Sequence, residues 1–298
     1  MAKPLPRISD HLMSDIFPFT RSTDRFRLAL CIEFKGTHYS GWQVQKTGVP
    51  TIQAFLQAAI SRVANEPVAT FVAGRTDAGV HATNQVVHFD TASQRSDYGW
   101  LMGINSELPM DIRVKWVCPV DERFHARFSA TERVYRFVIH NEWVRSAHLH
   151  ELATWERNPL DAMRMQAAAD LLLGRHDFSA FRAAECQAHS PIKTLKELRI
   201  RRFGDLLVLQ VRADGFLHHM VRNLVGVLLA IGREQQEVDW ARQVLEGRER
   251  RLGGVTAKGT GLYFVRARYD LIDLPNRPAG PSFIQPIVDT MTNPFDPV

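Results

Sequence analysis

Between two apolar runs the chain carries Gly74-Arg75-Thr76-Asp77-Ala78-Gly79-Val80-His81-Ala82, its densest run of reactive side chains. Asp77 stands near the tip, with Arg75 two positions before it and glycines at 74 and 79 on either side. Glycine permits a tight turn and close approach of the backbone to a ligand. A nearby cation favours the ionised carboxylate, the form that a nucleophile or a base requires. Residue by residue the pattern fits two readings: a catalytic carboxylate, or an aspartate that closes its own turn, which is common beside glycine. His218 and His219 are neighbours, and on a helix neighbours point in different directions, so a shared metal is not expected there. Other chemistries lack their residues. Gly253-Gly254 with Lys258-Gly259-Thr260 has the wrong order for a phosphate loop, and no Gly-x-Gly-x-x-Gly follows a strand. The His-x-Glu and Pro-Cys-x-x-Cys pattern of zinc deaminases is missing. Cys31, Cys118 and Cys186 lie far apart without a Cys-x-x-Cys, which reads as buried thiols in a reducing compartment.

The elements around these residues follow from apolar periodicity. Phe26 to Phe34 alternates as a strand. Thr51 opens a helix whose apolar face is Ile52, Phe55, Leu56, Ala59, Ile60 and Val63. Val68 to Ala73 and Gln85 to Asp90 are expected as strands, Tyr98 to Leu108 as a helix stopped by Pro109, and Ile112 to Val117 as a strand. The order β-α-β-β-α-β then recurs. Arg133 to His140 is a strand, and Leu160 starts a helix with Met163, Ala167 and Leu171 on one face, ended by Gly174. Leu195 to Phe203 and Leu206 to Arg212 form a hairpin around Gly204-Asp205. His219 to Ile231 is an apolar helix, Trp240 to Leu245 a short one, and Leu262 to Tyr269 the last strand. The expected class is α/β (α+β): two ferredoxin-like or RRM-like βαββαβ halves forming a mostly antiparallel sheet with helices on one face. The expected domains are a tail at 1–24, an N-terminal α/β domain at 25–124 that carries the Asp77 loop, a second at 125–270, and an extension at 271–298.

At 298 residues the chain has the length of two domains, and with 45% apolar and 23% charged residues it is globular in composition. The net charge is +5, and Arg supplies 30 of the 37 basic residues. Guanidinium forks grip phosphates and stack on bases, so this bias suits a nucleic-acid partner. Residues 1–25 have no continuous apolar stretch of signal-peptide type, and Met220 to Ile231 is too short to span a bilayer. A cytoplasmic protein is expected.

The whole nine-residue string around Asp77 resembles the motif at the catalytic aspartate of the TruA-type tRNA pseudouridine synthases. Further segments agree in order: Gly41-Trp42-Gln43 after Tyr39; Phe124-His125-Ala126-Arg127-Phe128-Ser129-Ala130 before Arg133-Val134-Tyr135-Arg136; Phe178-Ser179-Ala180-Phe181-Arg182; Phe216 to Asn223; and Gly261-Leu262-Tyr263. The similarity runs from about Arg25 to about Tyr269. It implies a homodimer that needs no cofactor or metal and isomerises uridines at positions 38 to 40 of the tRNA anticodon stem-loop. By the same resemblance Asp77 starts the bond break, and Tyr135 holds the loose uracil and removes the C5 proton. Arg222 pairs with Asp77, Arg75 helps extrude the target nucleotide, and Leu262 lines the uracil pocket. Phe124, His125, Ala126, Arg127 and Phe128, with Gln187, Ala188, His189, Ser190 and Pro191, correspond to tRNA-contacting segments. Whether Asp77 attacks C1′, removes the C2′ proton or adds to C6 stays open. Two departures concern RNA contacts: Val134 and Phe137 flank Tyr135 where Arg and Tyr are frequent, and Ala188-His189-Ser190 replaces a more usual polar-Arg-Thr sequence. Two other readings are a non-catalytic RRM-like RNA-binding module and a same-fold synthase acting on another RNA. The first lacks the aromatic strand motif of an RRM.

Overall fold

The computed structural model describes residues 25–186, 188–270 and 272–275. The expected 1–24 tail and most of the 271–298 extension lie outside them. The chain divides into two compact units, each built on one βαββαβ motif. The first takes in the described residues of Met1–Ala78, Ala82–Thr131 and Arg266–Ala279, and the second those of Gly79–His81 and Glu132–Val265.

In the first unit the order is β1 (Phe26–Phe34), α1 (Ile52–Ala64), β2 (Phe71–Val72), β3 (His81–Thr91), α2 (Asp97–Glu107) and β4 (Ile112–Val120). The strands run β4-β1-β3 with β2 beyond β3, all antiparallel, which is the ferredoxin-like arrangement. Ser96 caps α2 by accepting the Gly99 N–H at 3.0 Å, and Leu108 leaves the helix in extended conformation before Pro109, as the proline requires. The core is the inward face of β1 with Ile52, Leu56 and Ile60 of α1 and Trp100 and Ile104 of α2, all fully buried. Phe55, expected on the buried face of α1, is 40% exposed and touches Tyr39 by a ring edge. β2 is shorter than the expected Val68 to Ala73, while β3 starts four residues earlier than expected, at His81.

The second unit repeats the motif as β5 (Glu132–Asn141), α3 (Ala162–Asp170), β8 (Ile192–Phe203), β9 (Leu206–Ala213), α4 (Met220–Gly232) and β10 (Leu262–Arg268). Two short strands, β6 (Thr154–Glu156) and β7 (Gly174–Asp177), and helix α5 (Trp240–Gly247) are added to it. The strand order is β10-β5-β9-β8-β7, with β6 parallel to β5. The β8–β9 hairpin turns at Gly204-Asp205 as expected: Phe203 faces Leu206, and Gly204 takes φ +56°. Helix α3 buries a different face from the expected one. Met163 is 84% exposed, while Met165, Ala168, Ala169 and Leu172 are fully buried. Asp161 is the cap, accepting the N–H groups of Met163 and Arg164, so Met163 falls in the first turn facing solvent. Among the described residues α4 is the most deeply buried helix, and Gly226 lets it lie against the 254–257 segment, where a Cβ would strike the Val255 carbonyl.

One face of β5, β9 and β8 carries a ladder of charges. Glu132 accepts from Lys196 and from Arg212 at 3.2 Å, and Arg212 also reaches Glu197 at 3.2 Å. Gln210 then links Glu197, at 2.9 Å, to the fully buried Arg136, at 2.8 Å. A bulge between Leu195 and Glu197 supplies the extra residue, Lys196.

Candidate active site

Asp77 is half-buried on the loop that joins β2 to β3, and Arg75 beside it is exposed. The loop is held from below by the chain that follows β1. Gly41 adopts φ +88°, and a Cβ there would stand 2.7 Å from the Thr76 carbonyl oxygen and 3.1 Å from the carbonyl carbon of Asp77. The next residue, Trp42, is buried and donates its backbone N–H to the Thr76 carbonyl at 2.9 Å. The Gly41 and Trp42 carbonyls in turn accept the Ile52 and Gln53 N–H groups, so the ledge is tied to the start of α1. Near the start of the loop the Gln85 side-chain amide donates to the Gly74 carbonyl at 2.6 Å. Asp77 therefore sits on a backbone fixed at several points, which preorganises a side chain. The resemblance named Gly41-Trp42 only as a matching segment; its positive φ and close approach carry a positioning role that the sequence did not reveal.

In the second unit, Tyr135 is buried on β5 and takes edge contacts from Phe216 at 5.0 Å and from Phe264 on β10 at 5.2 Å. Val134 and Phe137, two of the departures from the family pattern, are core residues with no exposed surface. Leu262 opens β10 and is buried. Gly261 before it has φ +95° and lies against the Val138 carbonyl, accepting the Val138 N–H at 2.8 Å. Arg222, on the first turn of α4, is half-buried, and its Nε donates to the Ala257 carbonyl at 2.7 Å. Next to it Asn223 is buried between the Phe181 carbonyl and the Thr256 hydroxyl, both at 2.7 Å.

The histidine pair differs from expectation. Helix α4 begins only at Met220, and His219 takes a left-handed φ of 62°. The two imidazoles therefore do not diverge as they would on a helix; their centroids are 4.0 Å apart.

The segments assigned to RNA contact fall into two kinds. Phe124 and Ala126 are fully buried, whereas Arg127 and Phe128 are exposed and His125 is half-buried. His125 accepts the N–H groups of Arg127 at 3.1 Å and Phe128 at 3.3 Å through Nδ1. Burial, with the charges of Arg27 and Arg127, pushes its pKa down to about 4, so the ring is neutral at physiological pH and carries its proton on Nε2. In that form it can donate a hydrogen bond to sugar or phosphate. Gln187 lies outside the described residues. His189 and Ser190 are exposed, Ala188 and Pro191 half-exposed, and the Pro191 carbonyl accepts the Phe178 N–H at 3.1 Å. Cys31 is buried as expected, but Cys118 and Cys186 are half-exposed, and none of the three is in a disulfide.

The class that this arrangement defines is settled by comparison with known proteins. The family model described as tRNA pseudouridine synthase matches residues 30–129 and 168–270. The chain belongs to that family. Among curated relatives it is similar to the tRNA pseudouridine synthase A of Pseudomonas aeruginosa, with 52% identity over 88% of this chain and 93% of the relative. The proteins of the same name from Alcanivorax borkumensis and Nitrosococcus oceani are 49% and 51% identical, over 87% and 84% of this chain and 97% and 96% of their own lengths.

Proposed function

We propose that this chain converts uridine to pseudouridine at positions 38, 39 and 40 of the tRNA anticodon stem-loop, with Asp77 as the reacting carboxylate. The observation that carries the reading is near-full-length identity of about one half to proteins named tRNA pseudouridine synthase A. The reaction breaks the bond from N1 to C1′, forms one from C5 to C1′, removes the C5 proton and protonates N1. It is an isomerisation and balances without an electron acceptor. Asp77 supplies the carboxylate that starts the break, and its clamped loop supports that role, because a reacting group must be held close to the attack geometry. Tyr135 offers an aromatic face to the detached uracil and a hydroxyl for the C5 proton. Arg222 is the counter-charge for Asp77, Arg75 assists extrusion of the nucleotide, and Leu262 lines the pocket. RNA contacts come from Arg127, Phe128 and His125 and from the 187–191 segment. The chain works as a homodimer in the cytoplasm; among the described residues no helix is long and apolar enough to cross a membrane.

Asp77→Asn tests the assignment. Tritium release from C5-labelled uridine in tRNA should disappear, while tRNA affinity stays within a few-fold, because affinity comes from spread phosphate contacts. Appreciable turnover by the Asn variant would remove Asp77 from the chemistry.

A further inference from the structure

We propose that Phe71, His125 and Phe128 form a surface platform on which an unpaired nucleobase of the RNA substrate stacks, with Arg127 gripping the adjoining phosphate. The inference deepens the reading of the chain as a tRNA-modifying enzyme and rests on it. Phe71, on the two-residue strand β2, is 46% exposed, and Phe128 is 57% exposed. The rings adjoin through His125, whose centroid is 5.5 Å from Phe71 at 59° and 4.3 Å from Phe128 at 38°, so they form a stepped surface in which each exposed phenylalanine offers its own face to a base.

Beneath this surface lies a second layer of rings. Phe71 stacks on its cross-strand partner His88 at 4.9 Å and 17°, and His88 meets Phe124 and His125 edge-on at 6.0 and 4.6 Å. Phe124 packs in turn on Tyr269, whose hydroxyl donates to the Ala126 carbonyl at 2.7 Å. Hydrogen bonds fix both imidazoles: His88 accepts the Ala126 N–H at 3.1 Å, and His125 accepts those of Arg127 and Phe128. The exposed rings are therefore held in place before any partner arrives, which lowers the ordering cost of binding.

The chemistry of the surface selects its occupant. Its three rings are uncharged at neutral pH, so they offer π-faces and the Nε2–H of His125. Arg127 is exposed, with its guanidinium 5.5 Å from the Phe128 ring centroid. A flat apolar group joined to an anion matches an aromatic face beside a cation, and a nucleotide has that form. The +5 net charge of the chain complements the polyanion to which such a base belongs.

The test uses the full chain and a full-length tRNA transcript, with Kd measured across a range of salt. Phe71→Ala and Phe128→Ala should each weaken binding roughly 5- to 150-fold, the range of one base–aromatic stack. The slope of log Kd against log salt should not change, because no phosphate contact is lost. Phe128→Trp should retain affinity, whereas Arg127→Ala should lower the slope by about one. Circular dichroism melts confirm that each variant is folded. Ala variants with parental Kd would overturn the platform, and so would a Phe128→Leu variant that binds like the parent, since leucine keeps apolar contact without stacking. A shift from dimer to monomer in sedimentation with tRNA affinity intact would assign the surface to a second copy instead. Pseudouridine formation by the parent chain on the same transcript separates the two levels: its absence defeats the proposed function, while parental activity with unaffected Phe variants defeats the platform alone.

Discussion

Gly41→Ala probes how Asp77 is held. A Cβ at residue 41 would lie 2.7 Å from the Thr76 carbonyl oxygen, whereas ordinary contact begins at 3.4 Å, so the loop must yield by about 0.7 Å (3.4 minus 2.7). The same Cβ stands 3.1 Å from the carbonyl carbon of Asp77 and 3.2 Å from the Ala78 nitrogen, so the displacement falls on the residue proposed to react. A misplacement of about 1 Å costs about 100-fold in rate, and kcat should therefore fall roughly 10- to 100-fold. Alanine at φ +88° also costs about 1–3 kcal/mol of stability. Gly48→Ala separates the two effects. Gly48 has φ +72°, but nothing lies within 4 Å of its Cβ position, so it carries the backbone strain without the push on Asp77. Single-turnover pseudouridine formation and thermal melts, run on both variants below their melting temperatures, should show similar destabilisation but a loss of kcat only for Gly41→Ala. Equal kcat losses in both, or parental kcat in Gly41→Ala, would refute the positioning argument.

Two further outcomes follow from side chains described above. Tyr135→Phe keeps the edge contacts with Phe216 and Phe264, so tRNA binding should stay within a few-fold; if the hydroxyl removes the C5 proton, turnover falls about 100- to 10,000-fold, and near-parental turnover would leave Tyr135 as a platform only. Burial, with Arg27 and His125, pushes the pKa of His88 down to about 2, below its unfolded value, so the unfolded chain binds more protons below about pH 6.5 and stability is lost as pH falls from there. His88→Asn should flatten the melting temperature between pH 6.5 and 4 relative to the parent, and an unchanged slope would show that His88 is not the group responsible.

Much of the fold was legible because periodicity is strong where one face is buried. β1 matches its expected limits, and the turn at Gly204-Asp205 sits where its residue types put it. Misses came where the pattern is weak. β6 and β7 are three and four residues long and polar, too short for an alternation to register. In α3 two apolar stripes compete, and the fuller one, Met165, Ala168, Ala169 and Leu172 at i, i+3, i+4 and i+7, is the one that turns inward. Asp77, Tyr135 and Arg222 were visible as residue types in a matching order. The left-handed backbone of Gly41 and of His219 was not, because φ depends on what the chain must pass close to. The aromatic surface was half visible: Phe128 belonged to a recognised segment, but Phe71 joins it only through its pairing with His88 across β2 and β3.

The charge ladder on β5, β9 and β8 settles a question that apolar alternation leaves undecided. Alternation has period two, so it penalises a slip of one residue but is nearly blind to a slip of two, after which every apolar side chain again faces inward. The charges are not blind to it. In the native pairing Glu197 stands opposite Arg212 and Arg199 opposite Gln210. Moving β8 by two residues one way brings Arg199 opposite Arg212, like against like, and moving it the other way, with the bulge kept, brings Thr194 there and strips Arg212 of Glu197. Both misalignments also pull Lys196 away from the buried Glu132. The ladder thus acts as an address code for the strands, discarding during folding the one set of mispairings that the hydrophobic pattern accepts.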